Sequence, residues 1–362
     1  MQRRLVLYTI GAFGATVAAV GPPALAWNAH GHRTITYLAL DGLPPEAPAW
    51  LREPSVRHRI AYQSNEPDRY RGWPALPLKH DNEPDHYVDV ELLAQFGLTL
   101  ETLPKLRREY LRALAVSKHL HPEMVDPYDA SDDPARTKEW PGFLPHAITE
   151  QYAALQASFN TVRILEQLND PARGHQLEQA RANAIYHMGM LSHFVGDAAQ
   201  PLHTTKHHHG WVGDNPAGYT TDRGFHSKID GRVLEMHSLT FATLRPQVRF
   251  DRAVNAAGPW DDTLAHIRRS FEQVEPLYRL ERDEQMGGEA SKTLITERLS
   301  DAAAMLSALY WAAYTSAAPT SEQVSNWVRY NDFKPELLPD FPTPASAPAT
   351  TAATASAPLG AP

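Results

Sequence analysis

The sequence predicts a mostly α-helical protein. In several stretches apolar residues recur at the three-to-four-residue spacing of a helix face, while no stretch alternates apolar and polar residues as a half-buried β-strand does. Turn-forming residues separate these stretches, which is typical of helices joined by long loops. The predicted helices span residues 33–43, 98–114, 148–168, 178–199, 261–280 and 289–317.

The first and last of these helices have the clearest patterns. Helix 33–43 carries Ile35, Leu38 and Leu40 and ends at a Gly-Leu-Pro-Pro run. Helix 289–317 carries an apolar series typical of core packing: Leu294, Leu299, Ala302, Leu306, Tyr310 and Ala313. Loops rich in turn residues are predicted at 66–68, 76–85, 126–141 and 204–224.

Both ends of the chain are expected to lie outside the helical domain. Residues 1–26 have the pattern of a secretory signal, with two arginines, an apolar stretch and the small-residue cleavage site Ala24-Leu25-Ala26, so the mature protein would begin at Trp27. Residues 341–362 are almost entirely Pro, Ala, Thr, Ser and Gly, which predicts a disordered tail. The sequence therefore predicts an exported protein, periplasmic or extracellular, with one domain over residues 27–340.

The composition limits the possible chemistry. The chain has no cysteine, which excludes disulfides, thiol nucleophiles and cysteine-bound zinc, so any metal must be bound by His, Asp, Glu or backbone atoms. The formal net charge is −8, and it becomes −10 when the signal and its two arginines are removed. This balance argues against tight nonspecific binding along duplex nucleic acid, which requires many Lys or Arg contacts to phosphate.

The most informative polar pattern lies near the middle of the chain. His193 and Asp197 are four residues apart within a predicted helix, so their side chains lie on one face and can bind one ion. His203 follows soon after, beyond the proline that ends the helix. The same spacing recurs at His226 and Asp230. These pairs predict a metal site made of His and Asp side chains.

Other segments offer weaker signals. Trp27 and His32 follow the predicted cleavage site, where a free α-amino group, the Trp27 carbonyl and an imidazole can chelate a metal. Asp68 and His86 each offer one ligand on a loop or short extended segment. Taken singly, each is better explained as a helix start, a cap or a satisfied polar group than as a metal ligand. The consecutive histidines 207–209 are expected to point in different directions and to form no common site.

In chain order these residues resemble the ligand pattern of the trinuclear-zinc nuclease and phospholipase C superfamily, which includes fungal and plant single-strand-preferring nucleases and bacterial zinc phospholipases C. The resemblance implies a single multi-helix domain of the phospholipase C/nuclease type with long loops, and a cofactor of three Zn²⁺ ions. The ligands that it implies are Trp27, His32, Asp68, His86, His193, Asp197, His203, His226 and Asp230.

The resemblance also implies how the ions are arranged. The implied ligands of one zinc of a pair are Asp68, His86, His193 and Asp197. The implied ligands of its partner are Trp27, His32 and the second oxygen of Asp197. The implied ligands of the separate third zinc are His203, His226 and Asp230. In this chemistry a zinc-bound hydroxide attacks phosphorus, no covalent protein nucleophile is needed, and Asp68 is expected to orient the hydroxide.

Residues beside the ligands favour the nuclease branch. Arg71 lies three residues after Asp68, where that branch carries a basic residue that stabilises the transition state. Tyr87 and Asp89 match an aromatic residue and an acid that stack on and hydrogen-bond a nucleobase. The expected function is an endonuclease whose substrate is single-stranded DNA or RNA, and no stable protein partner is implied.

Two alternatives stay open. The first is a zinc-dependent phospholipase C that binds a phospholipid head group, because residues 224–228 resemble the phospholipase form of that motif, although Asp230 stands where that form has Glu. The second is a secreted metal-binding protein without catalysis, which the full ligand set disfavours. Compared with both enzyme branches, residues 90–144 form an insertion that is expected to cover or reshape the substrate groove.

Overall fold

A computed structural model describes residues 27–331 of the chain. These residues are mostly α-helical and contain no β-strand, which confirms the predicted mostly α class. The described residues divide into two compact units, residues 27–318 and 319–331. The predicted signal at 1–26 and tail at 341–362 lie outside the described residues, and the boundaries of the predicted domain stay a prediction.

The first unit consists of helices and the turns between them. Its α-helices are α1 (Ala29–Asp41), α2 (Pro54–Gln63), α3 (Glu66–Gly72), α4 (Leu76–Asn82), α5 (Arg107–Leu120), α6 (Leu144–Leu168), α7 (Gly174–Ala199), α8 (Phe225–Ser227), α9 (Val233–Met236), α10 (Phe241–Leu244), α11 (Trp260–Phe271), α12 (Val274–Arg282) and α13 (Glu289–Ser316). A π-helical turn, Lys228–Arg232, joins α8 to α9. Its 3₁₀ helices are Ala49–Arg52, Glu83–His86, Val90–Phe96, Leu100–Thr102, Pro122–Met124, Pro171–Arg173, Pro201–His203 and Arg245–Gln247. The second unit contributes α14 (Ser321–Tyr330).

Helix α7 is the centre of the first unit. Every residue from Met188 to Ala199 is buried, including His193 and Asp197. The helix packs against α1, α2, α6, α11 and α13, so it has neighbours on all sides. The predicted ligand pair therefore lies inside the core, where its side chains are held by the surrounding helices.

Glycines on α7 allow two of these helices to come close. A Cβ atom at Gly196 would lie 2.8 Å from His32 Nδ1 on α1, and one at Gly189 would lie 2.2 Å from the Cβ atom of Gln63 on α2. A protein interior does not tolerate contacts this short without moving the backbone or the side chain. Gly196 thus permits His32 to reach the level of Asp197.

Most long helices agree with the sequence-based predictions, but two predictions were wrong. Helices 33–43, 148–168, 178–199 and 289–317 are confirmed, and the first three begin about one turn earlier than predicted. Residues 98–114 are not one helix, because α5 begins only after Pro104. Residues 261–280 are split between α11 and α12, and the break lies one turn before Pro276. A proline within a helix lacks the N–H donor and clashes with the carbonyl four residues earlier.

Prolines also explain two loops that proved to be helical. Residues 66–68 belong to α3, and residues 76–85 form α4 and the start of the 3₁₀ helix Glu83–His86. Pro67, Pro77 and Pro84 lie in the first turns of these elements, where the missing N–H donor costs nothing. Asp68 and His86, which were expected on loops or extended segments, therefore lie on helical turns.

Among residues 27–331, the helices are all too short or too polar to cross a lipid bilayer.

A buried histidine joins the insertion to α6. The ring of His146 stacks on that of Tyr110, with centroids 5.0 Å apart and planes 10° apart. His146 Nε2 donates a hydrogen bond to the Pro104 carbonyl at 2.9 Å. Burial lowers the pKa of His146 to about 4. The folded protein therefore holds this side chain neutral.

We expect mild acid to destabilise the fold through His146. The unfolded chain protonates this side chain below about pH 6.5 and the folded chain only below about pH 4, so stability is lost as the pH falls between these values. From pH 7 to pH 5 the expected loss is about 2 kcal/mol. His146→Gln keeps a donor for Pro104 but cannot titrate, so urea unfolding should show a smaller pH dependence in the variant. Equal pH dependence in both proteins would contradict this expectation.

Candidate metal centre

The carboxylate of Asp197 links two groups of side chains. Its Oδ2 atom lies 3.0 Å from His86 Nδ1 and 3.3 Å from His193 Nε2. Its Oδ1 atom lies 3.4 Å from His32 Nε2. The two oxygens of one carboxylate therefore face different imidazoles, as they must in a carboxylate that bridges two ions.

Buried His and Asp side chains around Asp197 form groups that can bind a metal ion. Donor atoms of His32, His193 and Asp197 lie within 4.8 Å of one another, and so do donor atoms of Asp68, His86 and His193. We call these five residues the central cluster. Imidazole nitrogens and carboxylate oxygens are the donor set expected of a zinc site in a chain without cysteine.

A third group lies beside the central cluster. His226 Nε2 is 3.4 Å from Asp230 Oδ2, and the rings of His203 and His226 have centroids 4.8 Å apart. The segment from His226 to Asp230 runs into the π-helical turn, a feature that often marks functional sites. Gln200 Nε2 donates to Asp230 Oδ1 at 2.8 Å, which orients the carboxylate. The predicted ligands of the third ion are thus neighbours in space.

Groups outside the cluster fix the orientation of three imidazoles. His193 Nδ1 donates to the Ser64 carbonyl at 2.7 Å, and His203 Nδ1 donates to the His86 carbonyl at 2.5 Å. Because a carbonyl only accepts, these Nδ1 atoms carry the proton and the Nε2 lone pairs stay available to a metal. Asn82 Nδ2 lies 3.1 Å from His86 Nε2 and so directs His86 Nδ1 towards the cluster.

The buried polar atoms of these groups fit a bound cation. Several of them have no hydrogen-bond partner, which is costly for a buried group unless an ion satisfies it. These atoms are His32 Nδ1 and Nε2, Asp68 Oδ1, Asp197 Oδ1, His203 Nε2, His226 Nδ1 and Nε2, and Asp230 Oδ2. All of them are metal-ligating types, so the residues present fit a bound metal ion.

Burial and neighbouring charges set the protonation of the site. Burial is the main cause that lowers the pKa of four imidazoles, which favours the neutral, metal-binding form. These residues are His32, His86, His203 and His226. Burial also disfavours the protonated form of His193, but the negative charges of Asp197 and Asp68 have the larger effect and raise the pKa of that imidazole. Burial raises the pKa of Asp230 well above its usual range, so a cation bound there would displace a proton.

Trp27 lies against the same helix. Its side chain is fully buried, and its indole Nε1 donates to the Gly196 carbonyl at 3.0 Å, next to Asp197. The amide of the following residue, Asn28, donates to the Asp230 carbonyl at 3.0 Å. The structure thus brings Trp27 to the metal centre, and the role of its amine and carbonyl as ligands stays a prediction.

A cavity of about 290 Å³ opens beside the metal centre. The predicted site residues that line it are Arg71, His86, Tyr87, Asp89, His203 and His226. The residues that the sequence did not single out are Glu83, Thr137, Lys138, Leu202, His208 and His209. Predicted metal ligands and predicted substrate-binding residues therefore share one cavity.

Arg71 lines this cavity and has donors without a hydrogen-bond acceptor. It lies on α3 one turn after Asp68, and its Nη1 atom is 3.6 Å from Asp68 Oδ1. Arg71 Nε and Nη1 are buried without a hydrogen-bond acceptor. A guanidinium in this state is suited to bind a phosphoryl group in the cavity.

Tyr87 and Asp89 occupy another part of the lining. The Tyr87 hydroxyl donates to the Thr137 carbonyl, which fixes the orientation of the ring. Asp89 is buried, and its Oδ1 atom has no hydrogen-bond partner. Burial, with a smaller effect from Glu91, raises the pKa of Asp89 well above its usual range, so this carboxyl can donate as well as accept a hydrogen bond.

The three consecutive histidines divide between two environments. His207 stacks on Trp211 with ring centroids 3.8 Å apart, whereas His208 and His209 line the cavity. The expectation that the three form no common site agrees with this division. The sequence did not predict that His208 and His209 line the cavity, because this depends on how their loop folds back towards the metal centre.

Neither models of known protein families nor curated proteins match this chain. The function must therefore be inferred from the residues of the metal centre and its cavity.

Zinc is expected to stabilise the protein through Asp197. A ligand at 1,000 times its dissociation constant stabilises a fold by about 4 kcal/mol, so zinc should raise the melting temperature of chelator-stripped protein by several degrees. Asp197→Asn removes the carboxylate that faces both groups of imidazoles, so zinc should raise the melting temperature of this variant much less. Thermal unfolding with and without zinc measures the effect, and Asp261→Asn, an exposed aspartate, is the matched control. An equal rise in Asp197→Asn would show that Asp197 does not bind the ion.

Proposed function

We propose that this protein is an exported, zinc-dependent phosphodiesterase that cleaves single-stranded nucleic acid. The supporting observation is that Arg71, the Tyr87–Asp89 pair and three of the predicted metal ligands, His86, His203 and His226, line one cavity. A site for metal binding alone has no need for the first two of these features. The family resemblance of the sequence points to the same chemistry.

The metal centre would hold zinc at three positions. The residues at the first would be Asp68, His86, His193 and Asp197, and those at the second Trp27, His32 and Asp197. The residues at the third would be His203, His226 and Asp230. Zinc bound there supplies Lewis-acid activation of water and of phosphoryl oxygens. Asp68 would orient the attacking water, since its carboxylate belongs to the central cluster and its Oδ1 atom, 3.6 Å from Arg71 Nη1, accepts no hydrogen bond within the described part of the chain. In the reaction a bond forms between the water oxygen and phosphorus, the bond to the leaving alcohol breaks, and a proton passes to that alcohol.

Arg71 would stabilise the charge that develops on the phosphoryl oxygens. Its donors are already buried and oriented, so little reorganisation is needed when the transition state forms. The nearby Asp68 carboxylate keeps the guanidinium at the metal centre. Arginine suits this role better than lysine, because its planar fork can bind two oxygens at once.

Tyr87 and Asp89 would bind a nucleobase. Tyr87 lines the cavity with its hydroxyl bonded to the Thr137 carbonyl, and a base can stack on an aromatic ring only when that base is unpaired. Asp89 would hydrogen-bond the edge of that base. These two residues are the reason for preferring a single strand over a duplex.

The motif that favours a phospholipase has a packing explanation in this fold. Lys228, within the phospholipase-like run, forms an ion pair with Glu281 on α12, with Nζ–Oε distances of 2.8 Å. This lysine is therefore accounted for by contact between helices. Phospholipase C activity is tested in parallel with nuclease activity.

Zinc-loaded protein beginning at Trp27 is expected to cleave single-stranded DNA or RNA and to stop when a chelator is added. Arg71→Lys should lower kcat by about 100-fold, because a lysine cannot bind two phosphoryl oxygens in one plane. Arg69→Lys is the matched control on the same helix, since Arg69 pairs with Glu66. Phosphatidylcholine is tested in parallel. Release of phosphocholine without cleavage of nucleic acid would show that the protein is a phospholipase C and not a nuclease.

The free amine of Trp27 is expected to be required. One alanine added before Trp27 converts this amine into an amide, which is a poor metal ligand, so zinc affinity should fall by at least about tenfold and activity with it. Zinc content by elemental analysis and nuclease rate are measured together, with circular dichroism to verify folding. A protein with the same alanine added at the carboxyl end is the control. Unchanged zinc content and rate would remove Trp27 from the ligand set.

A further inference from the structure

The end of the insertion is bonded to the segment that carries the base-binding residues. The Asp89 amide donates to the Pro141 carbonyl at 2.7 Å, and the Leu144 amide donates to the Tyr87 carbonyl at 3.2 Å. Gly142 has φ +98°, and a Cβ atom there would lie 2.1 Å from the Tyr87 carbonyl oxygen. Only a glycine at position 142 therefore allows the backbone there to lie this close to the Tyr87 carbonyl. The insertion does more than extend the surface, because its last residues are bonded to the segment of Tyr87 and Asp89, and its residues Thr137 and Lys138 line the cavity.

A turn holds Lys138 at the cavity. Asp133 accepts hydrogen bonds from the Lys138 amide at 2.8 Å and from the Thr137 hydroxyl at 3.2 Å. The Thr137 carbonyl in turn accepts from the Tyr87 hydroxyl. Lys138 is therefore the immediate neighbour of the residue that orients the predicted stacking ring.

Within the part of the chain that the structure describes, the charge of Lys138 has no ion-pair partner. Two other cations near this turn, Lys118 and Arg136, pair with Glu139 at 3.3 and 3.4 Å. Lys138 forms no ion pair within residues 27–331, although it lines the cavity together with Glu83. His208 and His209 line the same cavity as Lys138.

The cavity thus receives two cations from different elements. Arg71 comes from α3 beside the metal centre, and Lys138 comes from the insertion beside the residue that holds Tyr87. In a single strand each nucleotide has one phosphate on either side of its sugar. A nucleotide stacked on Tyr87 would therefore place one phosphate at the metal centre and direct the other away from it.

We propose that Lys138 binds the phosphate next to the one that is cleaved, so that the insertion makes the enzyme prefer substrates with two consecutive phosphates. This inference rests on the proposed nuclease function. It assigns a specificity-determining role to a segment whose effect the sequence left open. Lys138 contributes to substrate binding and not to the chemical step, because it lies outside the metal centre.

Dinucleotides with one and with two phosphates test the proposal. The zinc-loaded full mature protein is assayed at fixed ionic strength on a thymidine dinucleotide and on the same dinucleotide with an added phosphate at its 5′ or 3′ end. The added phosphate at one end should lower KM by about tenfold with kcat unchanged, as expected for one charge-assisted contact. Lys138→Gln should abolish this preference, and Lys138→Arg should retain it. Lys105→Gln, which removes an exposed lysine paired with Asp261, is the control.

The salt dependence of binding to a longer single strand gives a second measure. Loss of one phosphate contact should reduce the slope of log affinity against log salt by about 0.7 in Lys138→Gln. If the wild-type protein cleaves the dinucleotides and Lys138→Gln keeps the preference and the slope, Lys138 is not a phosphate ligand. If the wild-type protein cleaves no nucleic acid, the nuclease function itself is wrong and this proposal is overturned with it.

Discussion

The burial of the Asp197 carboxylate is the constraint on which the rest of the structure depends. A buried charge is costly unless donors or opposite charges surround it. Here the partners come from separate parts of the chain: His32 from α1, His86 from a 3₁₀ helix and His193 from one turn earlier on α7. The packing of helices around α7 therefore forms both the hydrophobic core and the buried polar centre.

Long helices hold part of the metal centre, whereas the residues that would contact substrate lie on shorter segments. Long helices carry His32, His193 and Asp197, so these donors are held by the packing of the core. Shorter segments carry the residues that would contact substrate, and the insertion adds Thr137 and Lys138. Rigid placement suits ligands, which must keep their geometry, whereas segments at the surface can change specificity without loss of the fold.

The parts of this site that the sequence predicted are those with local spacing. The His193–Asp197 and His226–Asp230 pairs followed from the helical repeat, and in both pairs the two side chains are neighbours. The elements of Asp68 and His86 were predicted wrongly, because Pro67 and Pro84 begin helical turns and do not end them. Helix breaks before Pro276 and around Pro104 were missed because apolar periodicity continued across them.

By itself, the sequence determined the mostly α class, the exclusion of cysteine chemistry and the residue types available to bind metal. It also placed pairs of ligands on common helix faces, since neighbours three or four residues apart on a helix must lie close together. Only the tertiary structure decided that Asp197 faces two groups of imidazoles, that two nitrogens of Arg71 lack a hydrogen-bond acceptor, and that Lys138 lines the cavity. These contacts join residues far apart in the chain, so they depend on how the whole core packs and not on any local repeat.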